Sequence, residues 1–133
     1  MARHAPKTYG AVCETPERQE RRTAAALGGR RQAGSGSSAY AKGDAVVEAG
    51  PTVGPVGFLI ECKQTVHASL SITWAWLAKI SGEALAQGKA PALDFEVLGG
   101  PPAAGAERQW VAVPHSVFVQ LVRAAGATQE RVN

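Results

Sequence analysis

Short runs of apolar and alternating residues divide the chain into predicted strands. Four such runs, at residues 45–49, 57–63, 91–98 and 109–113, have the length and composition of β-strands. A Gly/Pro-rich turn, GPTVGPVG, separates the first two runs, and two strands joined by such a turn form an antiparallel hairpin. The basic stretch RRQAGSGSSAYAKGD, which begins at Arg30, is compatible with a further short strand at its start.

The first predicted helix lies near the N-terminus, in the stretch PERQERRTAAAL. Thr15 followed by Pro16 is the pattern of an N-cap and a first helical residue. The stretch that follows is rich in good helix formers, and the glycine pair Gly28-Gly29 supplies a stop. We therefore expect a helix that begins at Pro16 and ends just before the glycines.

Two further helices are predicted in the second half of the chain. Ser69 is the expected N-cap of a helix over residues 70–89, whose apolar positions recur at helical spacing. Trp74 belongs to this apolar stripe and is expected in the core. Pro114 opens the last helix, which is expected to end near Gly126.

The order of these elements predicts the fold class. Helix, hairpin, helix, strand, strand, helix is the order of a mixed β-sheet with helices packed on it, in an α/β or α+β domain. A chain of 133 residues is long enough for one compact domain with its own core. We expect a flexible tail over residues 1–14, a single domain over 15–127 and a C-terminal tail over 128–133.

Composition and cysteine content narrow the class of protein. The chain is 45% hydrophobic and 19% charged, and it has no apolar run of membrane-spanning length. Its first residues lack the apolar core of a signal peptide. The two cysteines, Cys13 and Cys62, are expected to be free thiols. These features favour a cytoplasmic protein without a membrane partner.

The charge is distributed unevenly along the chain. Residues 1–42 carry eight basic and three acidic residues, a formal charge of +5, whereas the remainder carries six basic and eight acidic residues, a formal charge of −2. An asymmetric basic segment is typical of a surface that binds phosphate groups, although a basic disordered arm has the same composition. The charge therefore favours nucleic acid as a partner.

Two charges interrupt the apolar run FLIECKQT at residues 58–65. Side chains alternate along a strand, so Glu61 and Lys63 would share one face and Cys62 would lie on the other. Asp44 begins the partner strand of the predicted hairpin, roughly across from residues 61–63. The hairpin would thus bring two carboxylates and an ammonium group together.

Such a group has a specific chemical use. Two carboxylates and a backbone carbonyl form an oxygen-only site that suits Mg²⁺, and an adjacent lysine can activate a water molecule or neutralise charge on a phosphate. The other interpretation is a surface Glu–Lys pair on an edge strand, worth about 0–1 kcal/mol. Asp44 and the basic loop that precedes it favour the metal site.

The same residues match a known motif. Gly43-Asp44 followed by Glu61-Cys62-Lys63 resembles the PD-(D/E)xK nuclease motif, with glycine in place of its proline. The stretch ERRTAAALGGRRQAGSGS, which starts at Glu20, is similar to the N-terminal part of archaeal-type Holliday junction resolvases and their phage relatives. The later stretches LAKI and GKAPAL also look like the phage members, so the similarity covers about residues 17–98.

The resemblance implies a fold, an activity and a set of partners. The fold would be restriction-endonuclease-like, with a mixed sheet flanked by helices, and the domain would be a nuclease domain. The activity would be Mg²⁺-dependent DNA cleavage in recombination, with Mn²⁺ as a possible substitute. The partner would be branched DNA, since a homodimer of phage or mobile-element origin would make paired nicks in a four-way junction inside the bacterial host cell.

The resemblance also implies roles for individual residues. Asp44 and Glu61 would bind the metal, with the backbone carbonyl of Cys62 as a third ligand, and Lys63 would be the catalytic lysine. The family has a further glutamate on the first helix that faces the same metal. Glu20 matches this position best, and Glu17, one helical turn away, is its rival.

Several residues are candidates for contact with the DNA backbone. A Gly/Ser loop flanked by bases can hold a phosphate through its N–H and hydroxyl groups, although most such loops are flexible connectors. Lys79 on the second helix could contact a phosphate or could simply be solvated. The expected DNA-binding residues are Arg30, Arg31, Ser35, Ser37, Lys42 and Lys79.

Other functions fit parts of this pattern. A PD-(D/E)xK nuclease could act on linear, nicked or flapped DNA, or on RNA. A DNA-binding module with a silent nuclease site would retain the basic loop. A structural protein with an incidental Glu-x-Lys is the weakest of these interpretations, because it leaves Asp44 and the basic loop unexplained.

Overall fold

The computed structural model describes residues 15–31, 45–49 and 56–132. The predicted N-terminal tail, the hairpin turn and most of the basic loop lie outside these ranges. Four candidate residues lie outside them too: Ser35, Ser37, Lys42 and Asp44. The helices are α1 (Pro16–Ala26), α2 (Trp74–Ala86) and α3 (His115–Val132). The strands are β1 (Arg30–Arg31), β2 (Ala45–Val47), β3 (Phe58–Thr65), β4 (Ala90–Val97) and β5 (Gln109–Ala112).

The strands form one mixed sheet in the order β1-β2-β3-β4-β5. β3 pairs antiparallel with β2 and parallel with β4, and the remaining pairs are antiparallel. The parallel pair requires a crossover connection, which α2 provides. The architecture confirms the predicted hairpin of β2 and β3 and the predicted α/β class with a mixed sheet and helices.

The two faces of the sheet have separate apolar cores. On the first face, Ala24 of α1 packs against four buried strand residues, Ala45, Val47, Ile60 and Ala92. On the second face, Ala84 of α2 packs against Val46 and Leu59. Small residues at the helix positions let each helix approach the sheet closely. We call the first surface the α1 face and the second the α2 face.

The ends of the first two helices follow from their sequence. The Thr15 hydroxyl accepts a hydrogen bond from the Arg18 amide at 3.3 Å, as expected of an N-cap. The C-cap residue of α1 and that of α2 are each followed by a glycine with positive φ, Gly28 at 70° and Gly88 at 66°. In both helices the amide after that glycine bonds a carbonyl of the last turn, which is the Schellman arrangement.

The start of α2 differs from the prediction. The helix begins at Trp74 with Thr73 as its N-cap, so Ser69 does not cap it. The connection from β3 must first carry the chain from the sheet to the helix layer, and residues 66–73 span that distance without helical structure. Trp74 then lies in the first turn and is 79% exposed, so its expected place in the core is wrong.

The last helix is longer than predicted. α3 continues past Gly126 to Val132, because the alanines around this glycine favour a helix and an interior glycine costs only ~1 kcal/mol relative to alanine. Val117 is buried, whereas Phe118 and Val122 are exposed. None of the helices in the described ranges has the length and apolar character needed to cross a membrane.

A partly buried polar network connects α1 to β4 and β5. The Arg22 guanidinium donates to Gln109 Oε1 at 2.7 Å and to Glu96 Oε1 at 3.0 Å. Gln109 Nε2 in turn donates to Asp94 Oδ1 at 2.8 Å, and Gln64 Nε2 donates to Glu96 Oε1 at 3.1 Å. Polar groups that are removed from water need such partners, so the network allows the α1 face to be polar at this end of the sheet.

Asp94 is the most deeply buried carboxyl of this network, with 4% of its surface exposed. Burial raises the pKa of Asp94 because it disfavours the ionised form. The hydrogen bond from Gln109 and the charge of Arg22 lower this pKa, and the charge of Glu96 raises it. The ionised carboxylate at this position is therefore held at a cost to stability.

Replacement of this carboxyl should stabilise the protein at neutral pH. A raised folded-state pKa means that the contribution of Asp94 to stability is complete below its unfolded-state pKa and is lost as pH rises through its folded-state pKa. Asp94→Asn keeps an oxygen for Gln109 and removes the charge. We expect urea denaturation to give a higher free energy of unfolding than wild type at neutral pH, with the difference shrinking as the pH is lowered.

The exposed Glu107 provides a matched control. Glu107→Gln removes a carboxylate from the surface and should leave the free energy of unfolding nearly unchanged at every pH. A destabilised Asp94→Asn variant whose deficit shrinks as the pH is lowered would contradict the prediction and show that the charge of Asp94 is needed by the network.

Candidate functional site

The polar half of β3 carries the candidate catalytic pair on one face. Leu59 packs against α2, and side chains alternate along the strand, so Glu61 and Lys63 lie on the same α2 face. The Cys62 side chain is half-buried on the opposite face, where it packs against the core beneath α1. The predicted alternation of this strand is confirmed.

Glu61 and Lys63 line a cavity between β3 and α2. The cavity has a volume of about 180 Å³, and its other lining residues are Trp76, Lys79 and Ile80. Lys63 Nζ lies 3.4 Å from Glu61 Oε1 and 4.8 Å from the centroid of the Trp76 ring. The lysine is therefore held between a carboxylate and the face of an indole, which attracts a cation.

The sequence did not indicate two residues that hold this lysine. Trp76 is half-buried over Lys63, although its neighbour Trp74 was the one expected inside. Gln19 of α1 is buried, and its Nε2 donates to the Lys63 backbone carbonyl at 2.9 Å. Gln19 and Thr23 form a polar pair one turn apart on α1, a signal that could have identified this face of the helix. Trp76 has no comparable local signal.

The structure distinguishes the two glutamates of the first helix. Glu20 is 5% exposed and lies on the buried side of α1 with Thr23 and Ala24, whereas Glu17 is exposed to solvent. Glu20 thus reaches the sheet from the α1 face, and Glu61 projects from the α2 face. The burial favours Glu20 over Glu17 as the candidate acid, and the two candidate acids approach β3 from opposite sides.

The backbone of β3 points the Cys62 carbonyl toward β2. The carbonyls of Gly57 and Thr65 accept hydrogen bonds from Ala90 and Leu98, on the β4 side. Carbonyls of successive strand residues point in alternate directions, so the even-numbered Cys62 directs its oxygen to the other side. This is the side on which Ala45 pairs with Ile60 at the end of the described part of β2.

Asp44, the second predicted metal ligand, precedes Ala45 and lies outside the described residues. Within the described ranges no three His, Cys, Asp or Glu residues are grouped so that they could hold a metal ion. The described candidate carboxylates are Glu61 of β3 and the buried Glu20 of α1. The complete predicted ligand set therefore stays a prediction.

The described DNA-binding candidates lie in two places. Lys79 lines the cavity with Lys63, and its Nζ also pairs with Glu83 at 3.3 Å. The exposed Arg30 side chain belongs to β1 and pairs with Glu48 at 3.3 Å. Arg31 is the other residue of β1, and Ser35, Ser37 and Lys42 lie outside the described ranges. Of the described candidates, only Lys79 adjoins the Glu61–Lys63 pair.

A scan against protein-family models and a search of curated proteins find no match for this chain. A carboxylate, an ammonium group and a backbone carbonyl on one strand can bind a hard cation and stabilise negative charge beside it.

The contact with Trp76 can be measured directly. In an NMR spectrum of the wild-type protein, the ring of Trp76 should shift the signal of the Lys63 ε-protons upfield. Trp76→Ala removes the ring from above Lys63 and should abolish this ring-current shift. Trp76→Phe keeps an aromatic face and should retain part of this shift. Lys63→Ala identifies the signal.

Trp74→Ala is the matched control, because Trp74 is an exposed tryptophan of the same helix. It should leave the lysine signal unchanged. An unshifted Lys63 signal in the wild-type protein would contradict the cation–π contact.

Proposed function

We propose that this chain is a Mg²⁺-dependent nuclease of the PD-(D/E)xK type with a restriction-endonuclease-like fold. The observation that carries the proposal is the pair Glu61–Lys63, which shares one face of a central strand and lines a cavity there. The alternative of a surface Glu–Lys pair on an edge strand does not describe β3, which is the central strand of the sheet, and Lys79 also lines the cavity that the pair faces.

The metal-binding part of the proposal concerns the strand edge beside β2. Ala45 pairs with Ile60, and continuation of this register by one residue would set Asp44 opposite Glu61. The Cys62 carbonyl points to the same edge. Two carboxylates and a carbonyl are oxygen ligands of the type that Mg²⁺ prefers, and Glu20 would approach the same edge from the α1 face.

The bound ion would lower the pKa of a water molecule and polarise the scissile phosphate. Lys63 would orient that water or neutralise the charge that develops on the phosphate oxygens during in-line attack. The new P–O bond forms as the bond to the leaving oxygen breaks, and a proton passes to that oxygen. Trp76 and Gln19 would keep Lys63 in position for this role.

The substrate that we propose is branched DNA, with a four-way junction as the first choice. The excess of basic residues before position 42 supports a polyanionic partner. Paired nicks require two sites, so we propose a homodimer, and the exposed Phe118 and Val122 of α3 are candidates for its interface. Other DNA substrates, RNA, and a silent DNA-binding module are the competing functions.

Cleavage assays separate these functions. The protein should nick a labelled four-way junction in Mg²⁺ and not in EDTA, with slower cleavage of a linear duplex. Equal cleavage of the duplex would remove the junction selectivity and leave the nuclease proposal intact. Junction binding without cleavage would identify a silent module. A protein that neither binds nor cleaves any nucleic acid would contradict the proposal.

Substitutions test the proposed residues. Lys63→Ala and Asp44→Asn should each lower the cleavage rate by at least ~100-fold, the size expected when a proton-transfer or charge-stabilising group is lost. Their junction binding and far-ultraviolet circular dichroism should stay close to those of wild type. Arg123→Ala, an exposed cation on α3, is the control and should cleave normally. Normal cleavage by either site variant would show that the site is assigned wrongly.

A further inference from the structure

An aromatic row extends across the sheet from the candidate site. Lys63 of β3 pairs with Phe95 of β4, and Phe95 pairs with Trp110 of β5. Directly paired residues project from the same face, so all three side chains lie on the α2 face. Neighbouring strands are about 4.8 Å apart, which sets the Trp110 backbone roughly 10 Å from that of Lys63.

A second cavity lies over the outer part of this row. It has a volume of about 380 Å³ and lies between the β4–β5 hairpin and its connecting loop, residues 98–108. Phe95 and Trp110 contribute aromatic surface to it, and Pro101 and Pro102 of the loop also line it. We call this cavity the aromatic pocket.

The aromatic pocket is held rigidly. The Arg108 guanidinium donates hydrogen bonds to the carbonyls of Val97, Gly99 and Gly100 at 3.0, 2.8 and 3.0 Å. These bonds connect the two ends of the loop. The indole Nε1 of Trp110 donates to the Glu107 carbonyl at 2.8 Å. This hydrogen bond orients the side chain of Trp110, a residue that is 58% exposed.

The two adjacent cavities differ in character. The aromatic pocket offers planar apolar surface, whereas the cavity beside it is lined by Lys63 and Lys79 together with Glu61, the ion-pair partner of Lys63. A ligand with a flat apolar group a short distance from an anionic group would satisfy both. A nucleotide has this combination, because every base has a stacking face and every base is attached to a phosphate.

We infer that the aromatic pocket binds an unpaired nucleobase of the substrate, stacked on Trp110, while the adjoining phosphates lie beside Lys63 and Lys79. The inference rests on the proposed nuclease function and gives it a substrate class. A base within a continuous duplex is stacked on its neighbours and cannot enter the pocket. The protein would therefore prefer DNA with unpaired bases, as at a flap, a single-stranded end or a branch point whose base pairs have opened.

Binding measurements in EDTA test this inference without any cleavage. Fluorescence anisotropy would compare a labelled duplex that carries a single-stranded thymidine tail with the same duplex without the tail. Loss of base stacking typically lowers affinity by about 5- to 150-fold, so Trp110→Ala should lose this factor on the tailed DNA. On the blunt duplex its affinity should change less than about twofold, since no base stacks there.

Two variants control for other effects of the substitution. Trp110→Phe retains an aromatic face and should recover most of the affinity for the tailed DNA. Trp74→Ala removes an exposed tryptophan of α2 that does not line the aromatic pocket and should bind both DNAs as wild type does. Circular dichroism confirms that each variant is folded.

Photochemical crosslinking identifies the contact. A 5-iodouracil placed in the tail next to the duplex should crosslink to Trp110, as located by mass spectrometry. Equal affinity of wild type and Trp110→Ala for the tailed DNA, or equal losses on both DNAs, would overturn the inference, as would an interface between two copies that buries Trp110. The Mg²⁺-dependent cleavage assay is independent, so a nuclease that fails these binding tests keeps its proposed activity.

Discussion

Backbone pairing along both edges of β3 determines where Glu61, Cys62 and Lys63 lie. β2 pairs with the first half of the strand, β4 pairs with its whole length, and α1 and α2 cover its two faces. Once the strand is fixed in this way, the alternation of its side chains assigns each residue to one helix. Glu61 and Lys63 must face α2, and Cys62 and Gln64 must face α1.

The polar half of β3 is covered by a helix that itself carries buried polar residues. α1 meets the sheet with Gln19, Glu20 and Thr23 as well as with Ala24, all of them buried. Of these residues, Gln19 donates a hydrogen bond to the Lys63 carbonyl, and leaving a buried polar group without a partner costs about 1–3 kcal/mol. The network around Arg22 likewise supplies hydrogen-bond partners for Asp94 and Glu96 on β4 and for Gln109 on β5. The position of α1 is thus set by polar contacts at one end and by packing at the other.

Local patterns in the sequence were sufficient to predict much of this arrangement. The alternation in FLIECKQT placed Glu61 and Lys63 together, the Gly/Pro turn indicated the antiparallel hairpin, and glycines after α1 and α2 marked their ends. These signals are local because backbone geometry and capping involve only nearby residues.

The features that were missed depend on distant contacts. The spacing of apolar residues suggested that Trp74 is inside, but the crossover from β3 delays the start of α2 and leaves Trp74 in solvent. Trp76 then contacts Lys63, which is thirteen residues earlier, and no nearby residue indicates that contact. Gln19 likewise binds a carbonyl forty-four residues away. The position of Asp44 relative to Glu61 stays a prediction.

The ion pair between Glu61 and Lys63 has an electrical consequence. The two groups lie 3.4 Å apart and offset each other's charge within the cavity, so Glu61 already has a counter-ion on its own strand. A divalent ion that approached Glu61 would have to compete with the ammonium group already beside it. The apparent affinity for such an ion would therefore include the free energy of separating this pair. Ionic strength would change both the attraction of the ion to Glu61 and the strength of the Glu61–Lys63 pair.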